Sequence, residues 1–152
     1  MRLILDTSVI LALVREEKDG DLLERLFGAI QSGSHQGFIS SITIAEIYAV
    51  LSRTGEARRA AGATILLKEV GIQSIPLDDS IAKEAGILKG KYASLRGFSY
   101  ADAAIASTAL QVRADALLTY DTEFLQVKEV HSHNQNPHYF SVELHKQLEM
   151  LL

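Results

Sequence analysis

The sequence predicts a single α/β domain of three layers, α/β/α, around a parallel central sheet of four to five strands. Short apolar runs at residues 3–5, 37–40, 72–77 and 115–119 alternate with longer stretches carrying apolar residues at helical spacing. Strands alternating with helices imply a parallel sheet covered on both faces. The first run, Leu3-Ile4-Leu5, ends abruptly in Asp6-Thr7-Ser8 before apolar residues resume at Val9. That is the signature of a buried strand turning into a helix, with a carboxylate where open α/β sheets bind ligands. A chain of 152 residues with 47% hydrophobic and 22% charged residues suits one globular domain.

The elements follow in order. Residues 8–15 read as a helix that Thr7 or Ser8 can cap. Residues 16–21, charged and containing a glycine, read as a loop. Leu22, Leu23, Leu26, Phe27 and Ile30 mark an amphipathic helix over 21–31. GFIS (37–40) is a short strand, followed by a helix over 42–53 with Ile44, Ile47, Tyr48 and Leu51 on one face; Gly55 stops it. A helix over 56–70 ends at Gly71. The run 72–77 contains Pro76, which places it at a sheet edge. Asp78-Asp79-Ser80 opens a helix to Lys91. Residues 99–112 form the most apolar helix. DALLT (115–119) is a strand, 121–125 a helical turn, and 127–130 a last strand. Polar residues fill 131–138, and 141–152 have helical character with Val142, His145, Leu148 and Leu152 on one face. The expected organisation is a domain over 1–130 with a C-terminal extension over 131–152 belonging to the same domain.

Bulk composition excludes several classes. There is no cysteine, hence no disulfide, thiolate metal site or Cys nucleophile. The N-terminal apolar run is too short for a signal peptide, and no stretch approaches the ~20 apolar residues of a membrane span. The expectation is a cytoplasmic protein with no membrane contact. Net charge is −4, so nucleic-acid binding would need a local basic patch.

Four carboxylates share a local setting. Asp6 follows LIL, Glu46 lies in SSITIAEI, Asp102 in FSYADAAIA, and Asp121 follows ALLTY. Each sits at the carboxyl end of a strand or at the start of a helix, and in a parallel sheet those places share one edge. A structural role is also open to each: Thr43 with Glu46 and Ser99 with Asp102 fit capping boxes, Asp121 fits an N-cap, and Asp6 suits a helix N-terminus. Against capping alone, Asp6 is flanked by apolar residues and Asp102 opens an apolar helix. Two unit charges ~5 Å apart repel by ~3 kcal/mol at an effective dielectric near 20, so four acids in one cleft need a cation or protons. All-oxygen ligands suit Mg²⁺ or Mn²⁺. Such an ion supports phosphodiester cleavage by activating and orienting a water and neutralising the leaving oxygen.

LILDTSVILAL, ITIAEI, YADAAIASTA and ADALLTYDTEF, in this order, resemble the PIN-domain nucleases, and among them the VapC-type toxins of VapBC toxin–antitoxin pairs. The resemblance covers about residues 2–130. It implies the PIN-like α/β/α fold and cleavage of RNA with Mg²⁺ or Mn²⁺. By position, Asp6 and Asp102 would be the principal metal ligands, Glu46 a ligand or water-positioning group, and Asp121 the fourth acid. Thr7, Ser8 and Thr119 would hydrogen-bond around them. The resemblance further implies a cognate antitoxin partner and a homodimer. The chain departs from the family in continuing through 131–152.

Arg96, Lys91 and Tyr100 are candidate RNA contacts, with Arg58, Arg59 and Lys89 as further basic candidates and Tyr120 a further stacking candidate. His131, His133 and His138 read as a polar loop rather than a metal site. Competing functions are a PIN nuclease of RNA maturation or DNA processing without an antitoxin, and a non-catalytic RNA-binding PIN module. A receiver domain would need an acidic pair after the first strand, where Thr7 follows Asp6. A haloacid-type phosphatase would need a second Asp at Ser8.

Overall fold

The structure, a computed structural model, describes residues 1–16 and 19–132. The side chains of His131, His133 and His138 and the expected helix over 141–152 lie outside the described residues.

The chain runs β1 (Arg2–Leu5), α1 (Thr7–Val14), α2 (Gly20–Gln31), β2 (Gln36–Ser40), α3 (Ser41–Arg53), α4 (Ala57–Val70), β3 (Gln73–Ile75), α5 (Asp79–Lys91), α6 (Tyr100–Gln111) and β4 (Ala116–Leu118). A 3-10 turn (Thr122–Gln126) and α7 (Lys128–Ser132) follow. The four strands form one sheet in the order β3-β2-β1-β4, and every pairing is parallel. Ile4 stands opposite Phe38 of β2 and Leu117 of β4.

Alternation along the strands divides the core in two. Leu3, Leu5, Ile39, Ala116 and Leu118 face α1, α2 and α4, where Val9, Leu23, Leu26 and Leu67 are buried. Ile4, Phe38 and Leu117 face α5 and α6, with Leu88, Phe98 and Ile105. This is the three-layer arrangement. Residues 103–109 of α6 are all buried, so that helix is enclosed almost all round, as its composition predicts. β3 is an edge strand that stops immediately before Pro76. Gly37 is needed in β2 because a Cβ there would stand 2.9 Å from Ile72 Cγ1 and 3.0 Å from Ile30 Cδ1.

Three local expectations are corrected. Asp6, rather than Thr7 or Ser8, caps α1. α3 starts at Ser41, so Thr43 lies inside the helix and forms no capping box with Glu46; its buried hydroxyl has no partner among the described residues. Residues 127–130 form no strand. Phe124, Val127 and Val130 recur every third residue and bury together on the second core as the 3-10 turn passes into α7. The three-residue spacing of Val127 and Val130 fits this helical turn and not the alternation of a strand.

Candidate active site

Parallel pairing brings the carboxyl ends of β1, β2 and β4 to one edge. At its centre is Asp6, 5% exposed, whose backbone N–H bonds Leu118 O at 2.9 Å. Its Oδ2 accepts from Ser8 Oγ at 2.6 Å and Thr119 Oγ1 at 2.8 Å. Both hydroxyls are themselves anchored, Ser8 Oγ by the Tyr120 N–H (3.0 Å) and Thr119 Oγ1 by the Asp121 N–H (2.9 Å). Burial pushes the Asp6 carboxyl above the ordinary carboxylate range; Ser8 and Thr119 pull it back, and the nearby Asp102 charge raises it further.

Glu46 projects from the second turn of α3 and accepts the Thr7 hydroxyl at 2.5 Å. Its carboxyl is also raised, first by burial, then by Asp6 and Asp102, against the Thr7 bond. Asp102 is the third residue of α6. It accepts the Ser99 N–H at 2.5 Å, while Ser99 Oγ accepts the Asp102 N–H at 3.1 Å, completing a capping box.

Asp6, Glu46 and Asp102 therefore share one electrostatic neighbourhood. Asp121 reaches the same edge through Thr119, but its Oδ1 is turned onto the Glu123 N–H (2.8 Å) as an N-cap, and it is not among the groups that perturb the other acids. Among the described residues, no three acid or histidine side chains stand together as a ready metal cage. The hydroxyls of Ser8 and Thr119 are bound to one oxygen of Asp6, Oδ2, and that of Thr7 to one oxygen of Glu46, Oε2.

The basic candidates separate. Lys91 pairs with Glu129, which also takes the Tyr92 hydroxyl at 2.6 Å, so it is committed to holding α7. Arg59 pairs with Glu56 at 2.8 Å. Arg96 is exposed and forms no side-chain hydrogen bond or ion pair among the described residues. Tyr100, two residues before Asp102, is 72% exposed. Lys89 donates to Phe98 O at 2.6 Å. Pairs such as Lys91–Glu129, 38 residues apart, carry no local sequence signal.

With the parallel sheet and the strand-edge position of Asp6 established, the family comparison is decisive: the PIN domain profile matches residues 3–130. The chain belongs to the PIN domain family. No curated protein matches this PIN domain in sequence. Among solved structures, it is similar to VapBC2 from Rickettsia felis bound to a promoter DNA fragment: 19% identity, 93% of this chain and 98% of that chain covered, TM-score 0.69. It is similar to VapC20 of Mycobacterium tuberculosis, a sarcin-ricin loop cleaving toxin, with 16% identity, 82% and 93% covered, TM-score 0.67. It also resembles VapBC-1 from nontypeable Haemophilus influenzae, with 21% identity, 85% and 94% covered, TM-score 0.63. At these identities the shared property is the fold. Among the described residues, no helix is long and apolar enough to cross a membrane.

Proposed function

We propose that this PIN domain is a divalent-metal-dependent endoribonuclease, acting as the toxin of a toxin–antitoxin pair in the cytoplasm. The observation that carries the reading is a buried Asp6 at the carboxyl end of β1 in a PIN fold, with Glu46 of α3 bonded to the adjacent Thr7 and Asp102 in the first turn of α6. The antitoxin partner is supported by likeness to VapBC assemblies, and RNA as substrate by likeness to a toxin that cleaves the sarcin-ricin loop. A homodimer is supported by the family resemblance of the four sequence blocks.

The donor chemistry fits a hard cation. Three carboxylates offer oxygen only; burial raises two of them, with Asp102 raising Asp6 further and Asp6 and Asp102 raising Glu46, a conflict that Mg²⁺ or Mn²⁺ would relieve. Asp6 and Asp102 would hold the ion, with Glu46 third and Asp121 acting at longer range. When bound, it supplies activation of water and neutralisation of the leaving phosphate oxygen. The chain's own residues do the rest. Ser8 and Thr119 fix the orientation of Asp6, Thr7 fixes Glu46, and the buried walls below Asp6 restrict solvent to the open side. Arg96 and Tyr100, both exposed near the start of α6, would meet a phosphate and a base.

The test is RNA cleavage by the purified chain with Mg²⁺, with Mn²⁺ and with EDTA, with and without the protein encoded beside it. Cleavage that needs the ion and is silenced by the neighbour supports the proposal. Cleavage unaffected by EDTA overturns the metal dependence, and cleavage untouched by the neighbour overturns the toxin assignment. Sizing chromatography checks the homodimer: elution at the monomer mass removes it.

A further inference from the structure

Lys89 lies in the last turn of α5, and its ammonium donates to the carbonyl of Phe98 at 2.6 Å. That carbonyl belongs to the peptide group joining Phe98 to Ser99. The N–H of the same peptide group donates to Asp102 Oδ2 at 2.5 Å. A trans peptide is planar, with its C=O and N–H pointing in opposite directions, so holding one end aims the other. A cation on the carbonyl also polarises the amide and strengthens its N–H as a donor.

We infer that Lys89 is a positioning residue for Asp102, acting through the Phe98–Ser99 peptide: ammonium to carbonyl, amide to carboxylate. The inference rests on the proposed metal-dependent reading of Asp102 for its functional consequence, but not for the linkage itself.

The surroundings fit this role. Phe98 is fully buried, and its ring packs edge-on against Tyr92 (centroids 6.1 Å apart) and Phe124 (5.9 Å). Gly97 lies so close to Glu123 that a Cβ would stand 2.9 Å from Oε1 and 3.0 Å from Cγ. The segment is thus held from α5, from its own ring and from the turn after β4. The polar grip on the peptide plane falls to Lys89. With one carboxylate oxygen held by Ser99, Asp102 presents its other oxygen in a defined direction.

The experiment compares wild type with Lys89→Met, which keeps the stem and removes the charge, and Lys89→Arg, which restores a cationic donor. Ser99 amide proton shifts are recorded by NMR on the metal-free chain. Mn²⁺ affinity is measured by titration calorimetry, and kcat and KM are measured on RNA. In Lys89→Met the Ser99 amide moves upfield, Mn²⁺ affinity falls about ten-fold, the scale for losing a group that orients a ligand, and kcat falls with KM unchanged. Lys89→Arg recovers most of each. A Ser99 amide that does not move in Lys89→Met overturns the inference, as does a rise in KM alone, which would make Lys89 an RNA contact. Should Lys89→Met not fold, Lys89→Arg and Lys89→Gln carry the same comparison. If wild type binds no Mn²⁺, the metal reading fails while the amide shift still decides the linkage.

Discussion

At the scale of single residues, the environment of each carboxylate decides how its protonation bears on stability. Burial holds the Asp6 and Glu46 carboxyls above their ordinary values. A carboxyl raised on folding binds its proton more tightly in the folded chain. Its contribution is therefore fully present below the unfolded value and is lost as pH rises through the folded one. Glu56 and Glu129 have the opposite sign: the Thr54 hydroxyl and Arg59 lower Glu56, while in Glu129 bonds from Lys91 and Tyr92 outweigh burial. Total stability mixes the two, so the comparison must be with Asp6→Asn. In metal-free buffer, wild type loses stability relative to Asp6→Asn as pH rises above the carboxylate range, and Asp6→Asn is the more stable at neutral pH. Urea midpoints across the pH series check this; parallel curves would place Asp6 in no unfavourable environment. Asp102 carries two roles that separate by substitution. Asparagine still accepts the Ser99 N–H, so Asp102→Asn keeps the fold and loses RNA cleavage. Asp102→Ala also loses its half of the capping box, lowering stability by about 1 kcal/mol. Equal unfolding midpoints for the two variants would remove the capping contribution.

At the scale of elements, local chemistry that sits within a few residues was legible and chemistry that spans the chain was not. The strand-to-helix break at Asp6, the edge position marked by Pro76, the enclosed α6 and the Ser99–Asp102 box all lie within one short window. The Thr43–Glu46 box fails because the helix starts three residues earlier than that box requires, at Ser41, which frees Glu46 to take the Thr7 hydroxyl from another element. Lys91 reads as a phosphate contact until its partner Glu129 is in view. That partnership fastens α7: the Tyr92 hydroxyl donates to Glu129 at 2.6 Å and accepts the Lys128 N–H at 2.9 Å. Tyr92→Phe removes both bonds and destabilises the chain by about 1–2 kcal/mol at about 0.5–1.5 per bond, read from urea unfolding; a smaller loss than 0.5 would mean that water replaces the hydroxyl. A gain is available at the end of α6. Arg113 has a φ of 50°, and the Ala114 N–H reaches back to Ala109 O in a Schellman closure. The left-handed conformation costs about 1–2 kcal/mol for a side chain with a Cβ, and glycine returns about 0.5–1 of that as chain entropy. Arg113→Gly therefore stabilises by roughly 0.5 kcal/mol; unchanged or lower stability would show that the arginine stem packs usefully there.

At the scale of the molecule, the site exists only because the sheet is parallel and β1 lies inside it. Thr119 reaches Asp6 across 113 positions of sequence, and Asp115 clasps Arg2, accepting its N–H at 2.6 Å and donating to its carbonyl at 2.8 Å. The acids could be placed at strand ends from the sequence, since strand direction follows from the alternation with helices. Their side-chain directions could not, because neighbouring hydroxyls from other elements decide them. This coupling of site to fold gives the last prediction. An ion that binds the folded chain alone stabilises it by RT ln(1 + [L]/Kd), about 2.7 kcal/mol at a hundred-fold excess over Kd. Ligation needs Asp6 and Glu46 ionised, and both resist ionisation, so the stabilisation is largest above their raised values and shrinks as pH falls through them. Thermal unfolding with Mn²⁺ and with EDTA, over a pH series, should show a metal-dependent rise in Tm that fades towards acid and disappears in Asp6→Asn and Asp102→Asn. A rise of equal size in those variants would locate the ion elsewhere and leave the three carboxylates as a purely structural cluster.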